Sequence, residues 1–238
     1  MALRWGVVAV LALLAAATPP AIVWTKGSSL SLPSVPKVAR AADFAGEEVS
    51  PDARRLAAWI ARTNDNASTN FVLIDKKLAR IHVFNGDARL IGSSPVLLGG
   101  APGDDTVPGI GDRPIAQVLP EERTTPAGRF VAERGRNTRG EDVVWVSYLD
   151  AISIHRVLTT NPEERRLERL ATPTPEDNRI SYGCINVPVE FYENYVRRIF
   201  ATHRAAVYIL PEVKSLEQVF GANGFGVSSG REVTRKEA

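Results

Sequence analysis

The chain is poor in sulfur and imidazole, with one cysteine, one methionine and three histidines in 238 residues. One cysteine cannot close an intrachain disulfide, which excludes a disulfide-stapled scaffold. Three scattered histidines and one thiol offer no convincing metal-ligand set, and no cofactor is called for. No excess of one charge exists either: 29 basic residues face 27 acidic ones, interspersed. That balance argues against a nucleic-acid surface and leaves a small molecule or a polymer as substrate. No cysteine lies near residue 20, which excludes a bacterial lipoprotein anchor. Long apolar runs are confined to the N-terminus. Residues 1–26 carry Arg4, then an apolar run, then Ala15-Ala16-Ala17, and read as an export signal. The uncharged stretch from Trp5 to Thr25 is also long enough for an uncleaved membrane anchor, although Thr18-Pro19-Pro20 interrupts it and favours cleavage. The expected location is the periplasm or cell wall, with the inner membrane reached only through this segment.

What remains is about 215 residues, enough for one domain with a sizeable core. An apolar content of 44% and a charged content of 24% are ordinary for a globular protein. Residues 27–49 are rich in Ser, Pro, Ala and Gly and read as a tether. Ser50-Pro51-Asp52 then has the chemistry of a helix start, and Leu56, Trp59 and Ile60 share one face, predicting a short helix over 51–62. Residues 27–66 are therefore a linker with one short helix. FVLID and ARIHVF flank a turn at Lys76-Lys77 and read as a hairpin, followed by the apolar run Leu90 to Leu98. The Gly- and Pro-rich stretch 99–114 is a long surface loop. VVWVSY (143–148), ISIH (152–155) and AVYILP (206–211) are further strands. Residues 157–178 form a charged surface excursion, Pro188 opens an amphipathic helix carrying Phe191, Tyr195 and Ile199, and 213–238 is a mobile tail. The fold class is mainly β with a few peripheral helices, and the main folded domain spans 67–212.

An unpaired thiol in an exported chain is either buried and inert or reactive by purpose. Cys184 sits in RISYGCINVP, and a thiolate there needs a base, a cation or converging backbone donors. His82 reads as a solvated strand residue and His203 as a charge near a helix end. His155 ends an apolar strand, from which a side chain can reach a loop site. Gly183 permits a tight turn, and the amides around the thiol could hold an oxyanion. A tight turn holding a small buried side chain explains SYGC equally well from these residues alone.

His155, SYGCIN (181–186) and TPAGRF (125–130) together resemble the L,D-transpeptidase, or YkuD-like, catalytic domain of bacterial cell-wall enzymes, over roughly residues 70–211. Ser181, Gly183, Cys184 and Asn186 match its motif. Tyr182 stands where the family usually has a histidine, and the 29 positions from His155 to Cys184 are more than usual. The resemblance implies a β-sandwich or barrel-like domain, peptidoglycan stem peptides as substrate, Cys184 as nucleophile and His155 as base, oriented by a backbone carbonyl. It places the protein in cell-wall organisation and cell shape, as a monomer. Around the site, Ser181 either donates to the substrate or caps the turn. Arg179 either pairs with a substrate carboxylate or is a surface residue beside an acidic excursion. Tyr182 lines the donor groove, and Asn186 is the N-cap of the following helix before anything else. Hydrolysis or L,D-carboxypeptidation at the same site, and a non-catalytic wall-binding module, are the competing functions. Ser34-Val35-Pro36-Lys37 fits a serine penicillin-binding motif but lies in the tether without its companion motifs.

Overall fold

The computed structural model describes residues 40–221. The export segment, most of the tether with Ser34-Val35-Pro36-Lys37, and the tail beyond 221 lie outside these residues. Among the described residues no helix is long and apolar enough to cross a membrane.

The described residues form ten strands: β1 (Phe71–Asp75), β2 (Arg80–Phe84), β3 (Leu90–Pro95), β4 (Leu98–Gly99), β5 (Gly128–Arg136), β6 (Asp142–Ser147), β7 (Ile152–Arg156), β8 (Arg179–Ser181), β9 (Ile185–Val187) and β10 (Ala205–Ile209). Eight of them form one sheet in the order β3-β2-β1-β10-β5-β6-β7-β9, and β4 pairs with β8 in a second. Neighbours are antiparallel except β1 with β10, β7 with β9 and β4 with β8. Residues 90–99 nearly close the large sheet on itself: β3 pairs with β2 at one edge, and two residues later Leu97 exchanges both backbone bonds with Asn186 of β9 at the other, each at 2.9 Å. A nearly closed sheet leaves few exposed strand edges.

Side-chain alternation sorts the residues into two layers. Val72, Ile74, Ile81, Val83, Val144, Ile152, Ile154, Ile185, Val187, Val207 and Ile209 fill the interior together with Tyr192, Val196 and Phe200. Those last residues come from one interrupted helix: α3 (Val189–Phe191), a π-helical segment (Tyr192–Val196) and α4 (Arg197–Ile199). The outer face of β1 and β10, with Phe71, Leu73 and Tyr208, is covered by Leu56 and Ile60 of α1 (Pro51–Thr63) and Leu216 of α5 (Leu216–Phe220). That second cover explains why FVLID is an unbroken apolar run rather than an alternating one. The Ser50 side chain accepts the Ala53 N–H and caps α1, as expected. The excursion carries the short α2 (Arg166–Ala171) and helical turns.

His82 departs from its expected solvated position. It is fully buried, because Phe44 lies edge-on to it at 6.5 Å between ring centroids and Ser93 Oγ stands 3.2 Å from its Nδ1. Burial, with the Arg80 charge, lowers its pKa to about 4, so it stays neutral.

A buried ionic cluster fastens the long loop. Lys76 at the β1–β2 turn has no exposed side-chain surface. Its ammonium lies 2.7 Å from Asp104 and 3.4 Å from Glu212 and donates to the Thr125 carbonyl at 2.9 Å. Asp104 accepts the backbone N–H of Glu212, Val213 and Lys214 at 2.9, 2.9 and 2.6 Å. Burial pushes this carboxyl up, but the Lys214 N–H, the Lys76 ammonium and the Glu212 N–H outweigh it and hold the group below its ordinary range. Breaking such a pair from one side strands a buried charge at a cost of about 3–5 kcal/mol. Asp104→Ala is therefore expected to lower the unfolding free energy by about that amount in urea titration. Adding Lys76→Met should restore part of it, and a double variant no better than the single would contradict this assignment.

Candidate active site

The parallel pairing of β7 with β9 builds the site. Ile154 pairs with Ile185 and His155 with Asn186, so Cys184 falls opposite Ser153, one position before β9. Because successive side chains alternate, Ser153, His155, Cys184 and Asn186 share one face while Ile152, Ile154, Ile185 and Val187 point into the core. Residues 29 positions apart thus become neighbours. The excursion between them, 157–178, leaves and rejoins the sheet without disturbing this register.

The sulfur is half-buried and held by β7. Ser153 Oγ lies 3.6 Å from Cys184 Sγ, and the thiol faces the Ala151 carbonyl at 3.5 Å. His155 Nδ1 is 2.7 Å from the Arg156 carbonyl. A carbonyl only accepts, so Nδ1 carries the proton and Nε2 is the nitrogen left for the sulfur. Burial drives both groups towards neutrality, yet their mutual interaction wins. For Cys184, burial raises the pKa, and the hydrogen bond and charge of His155, followed by the Ser153 hydroxyl and N–H, outweigh it to give a net lowering. For His155, burial lowers the pKa, and the hydrogen bond and charge of Cys184, with the Arg156 carbonyl, outweigh it to give a net rise, against an opposing contribution from Arg166. Both directions favour charge on the sulfur and on the imidazole beyond what burial alone would allow.

The turn before the thiol is clamped from three sides. Ser181 donates its hydroxyl to the Cys184 carbonyl at 2.6 Å and accepts the Gly183 N–H at 3.1 Å, so its side chain closes the turn. Gly183 has φ +123°, and a Cβ there would lie 2.6 Å from the Thr124 carbonyl oxygen and 2.7 Å from Ile152 Cδ1. Only glycine meets both demands. Thr125 donates to the Gly183 carbonyl and accepts the Gly99 N–H, both at 2.9 Å, so the TPAGRF segment ties the turn to β4.

The other expected site residues stand as follows. Asn186 is fully buried in β9 and does not cap a helix; Pro188 occupies the N-cap, because β9 continues to Val187. Its Oδ1 accepts from Arg166 at 2.6 Å and its Nδ2 donates to the Cys184 carbonyl at 3.2 Å. Arg179 is paired with Glu212 and donates to the Lys76 carbonyl at 3.0 Å. It belongs to the buried cluster. Tyr182 is half-buried, with the Arg123 guanidinium 4.1 Å from its ring centroid. Ser153, Thr125, Arg123 and Arg166 were missed. Ser153 was findable from its spacing two residues before His155, whereas the others depend on contacts between distant segments.

A cavity of about 340 Å³ lined by Glu141, Asp142, Val143, His155, Arg156 and Leu158 reaches the imidazole. A larger one, about 810 Å³, lies between the approach to α1 and residues 172–178 and includes neither His155 nor Cys184. Among the described residues no group of three or more His, Cys, Asp or Glu side chains is placed to hold a metal ion.

No protein-family model matches the chain, and no curated protein matches it. Among solved structures it is similar to the helical cell shape determining protein Pgp2 from Campylobacter jejuni, at 18% identity and a TM-score of 0.41, covering 62% of this chain and 49% of that one. It is also similar to an L,D-transpeptidase from Mycobacterium smegmatis, at 12% identity and a TM-score of 0.35, covering 59% and 58%. A third similar structure is the catalytic domain of the E. faecium L,D-transpeptidase, at 14% identity and a TM-score of 0.32, covering 60% and 98%. The match spans about half of the Pgp2 chain.

Alkylation reports the thiolate directly. The iodoacetamide rate at Cys184 is expected to reach its midpoint below the ordinary thiol value of about 8.5. In His155→Ala the favourable partner is gone and burial remains, so the midpoint should move above that value. Identical profiles for the two proteins would contradict the pairing.

Proposed function

We propose that the chain is a cysteine-dependent L,D-transpeptidase acting on peptidoglycan stem peptides, with residues 67–212 as its catalytic domain. The observation that carries this reading is the placement of His155, its Nδ1 fixed by the Arg156 carbonyl, on the same face of the paired strands β7 and β9 as Cys184 of the Ser-Tyr-Gly-Cys-x-Asn turn. An inert buried cysteine has no use for a base whose second nitrogen is fixed by a carbonyl. The resemblance of these residues and of TPAGRF to the L,D-transpeptidase motif selects the substrate class, and the export reading of residues 1–26 agrees with a wall substrate.

The reaction runs in two acyl transfers. Cys184 thiolate attacks the carbonyl of the diamino acid at the third position of a donor stem peptide. The S–C bond forms and the carbonyl electron pair moves onto oxygen. Ser181 donates its hydroxyl to the Cys184 carbonyl and accepts the Gly183 N–H, so both of these donors are taken and the oxyanion is assigned to the backbone N–H of Cys184. Collapse breaks the C–N bond to the terminal D-alanine, whose amine takes the proton from His155 Nε2. An acceptor amine from a second stem peptide then attacks the thioester and gives its proton to His155. The S–C bond breaks, an amide cross-link is released, and the thiolate–imidazolium pair is restored. Tyr182 lines the donor groove, and the cavity of about 340 Å³ beside His155 is the route by which the acceptor reaches the imidazole.

Mass spectrometry of the protein with defined tetrapeptide stems tests the reading. The parent is expected to form a thioester adduct that has lost one D-alanine, then cross-linked dimers. Cys184→Ala should form neither, and His155→Ala should lose about 10²–10⁴ in rate while staying folded. Carboxylic-acid products without dimers would replace transfer by hydrolysis, and the absence of any adduct would overturn the enzyme assignment.

A further inference from the structure

Four guanidinium groups surround the nucleophile turn and the imidazole, and three are committed to carboxylates. Arg156 pairs with Glu193 and lies 3.6 Å from Asp142, Arg166 pairs with Glu164 at 2.5 Å, and Arg179 pairs with Glu212. Arg113, earlier in the same loop as Arg123, pairs with Glu122 at 3.0 Å. Arg123 differs. Among the described residues no carboxylate pairs with it, and its hydrogen bond is a long one, 3.3 Å to the Val118 carbonyl. Its Nε is buried and has no hydrogen-bond partner.

The position of this uncommitted cation is fixed by its neighbours. Arg123 stacks on Tyr182, two residues before the sulfur, at 4.1 Å. Its own backbone carbonyl accepts the Ala101 N–H at 3.1 Å, and the next residue, Thr124, packs its carbonyl against Gly183. The guanidinium therefore sits on the rigid wall of the turn, its plane braced by an aromatic face, with donors to spare. A braced fork of this kind is suited to a planar oxyanion.

We infer that Arg123 receives a carboxylate of the donor stem peptide and so determines the preference for anionic stems. This rests on the acyl-transfer reading above. The attraction is made in the bound donor, before and during thioester formation, and leaves the chemistry at Cys184 unchanged.

The test compares a tetrapeptide bearing free carboxylates with the same peptide amidated at those groups, in the parent, Arg123→Gln and Arg123→Lys proteins, with iodoacetamide labelling of Cys184 as the control. The parent should prefer the free-carboxylate peptide by about ten- to a hundredfold in kcat/KM. Arg123→Gln should lose most of that preference through KM, Arg123→Lys should keep part of it, and both should label at the parent rate. Equal preference in parent and Arg123→Gln would overturn the inference, as would slower labelling of Arg123→Gln, which would make Arg123 a support of the turn instead. A parent that labels normally but acylates with neither peptide would overturn the transpeptidase reading itself, and this inference with it.

Discussion

The parallel pairing of β7 with β9 is the constraint on which the rest depends. It converts a separation of 29 positions into the distance of one strand spacing and sets which faces the side chains take. A one-residue slip would send His155 and Ser153 into the core and bring Ile154 beside the thiol, so the apolar residues Ile152, Ile154, Ile185 and Val187 enforce the register by demanding burial. The site is in this sense a consequence of the core. Its electrostatics follow from the same placement: two groups that burial would separately neutralise are close enough to stabilise each other's charge.

Around that pair the structure spends its polar contacts on holding a turn. Ser181, Gly183, Thr125 and Asn186 each fix the SYGC backbone. The loop carrying Thr125 is held in turn by the buried Lys76–Asp104 pair, and Arg179–Glu212 joins β8 to the same cluster. Buried ion pairs contribute little net stability but are expensive to break, so they suit a place where one geometry must be kept. The thiol is thus braced from the β1–β2 turn, the long loop and the exit of β10 at once.

Strand alternation and unbroken apolar runs made β1, β2, β6, β7 and β10 legible in the sequence, and the N-cap chemistry of Ser50-Pro51 made α1 so. β5 was not, because charged residues interrupt the apolar ones in GRFVAERGR and only Ala132 of it is fully buried. β8 and β9 have three residues each and acquire their identity only from partners far along the chain. His82 was misjudged because its cover comes from Phe44, a residue in the segment taken for a tether. Asn186 resembled a helix cap by its place before Pro188, but β9 extends one residue further and buries it. Within the site, the chemically rare residues stood out in the sequence, whereas Thr125, Arg123 and Arg166 are common types whose roles arise from contacts between segments. Arg179 shows the reverse, an attractive neighbour in sequence whose charge is already matched by Glu212.

In the proposed reading the imidazole at 155 holds the proton of the sulfur at 184, and the two rest as an ion pair. Ultraviolet absorbance of the thiolate, followed through a pH titration of the parent and of Cys184→Ser, measures that state without substrate or reagent. Thiolate absorbance is expected already at neutral pH in the parent, vanishing at acid pH and absent throughout in Cys184→Ser. Absorbance that emerges only above the ordinary thiol value of about 8.5 would show a neutral pair and contradict it.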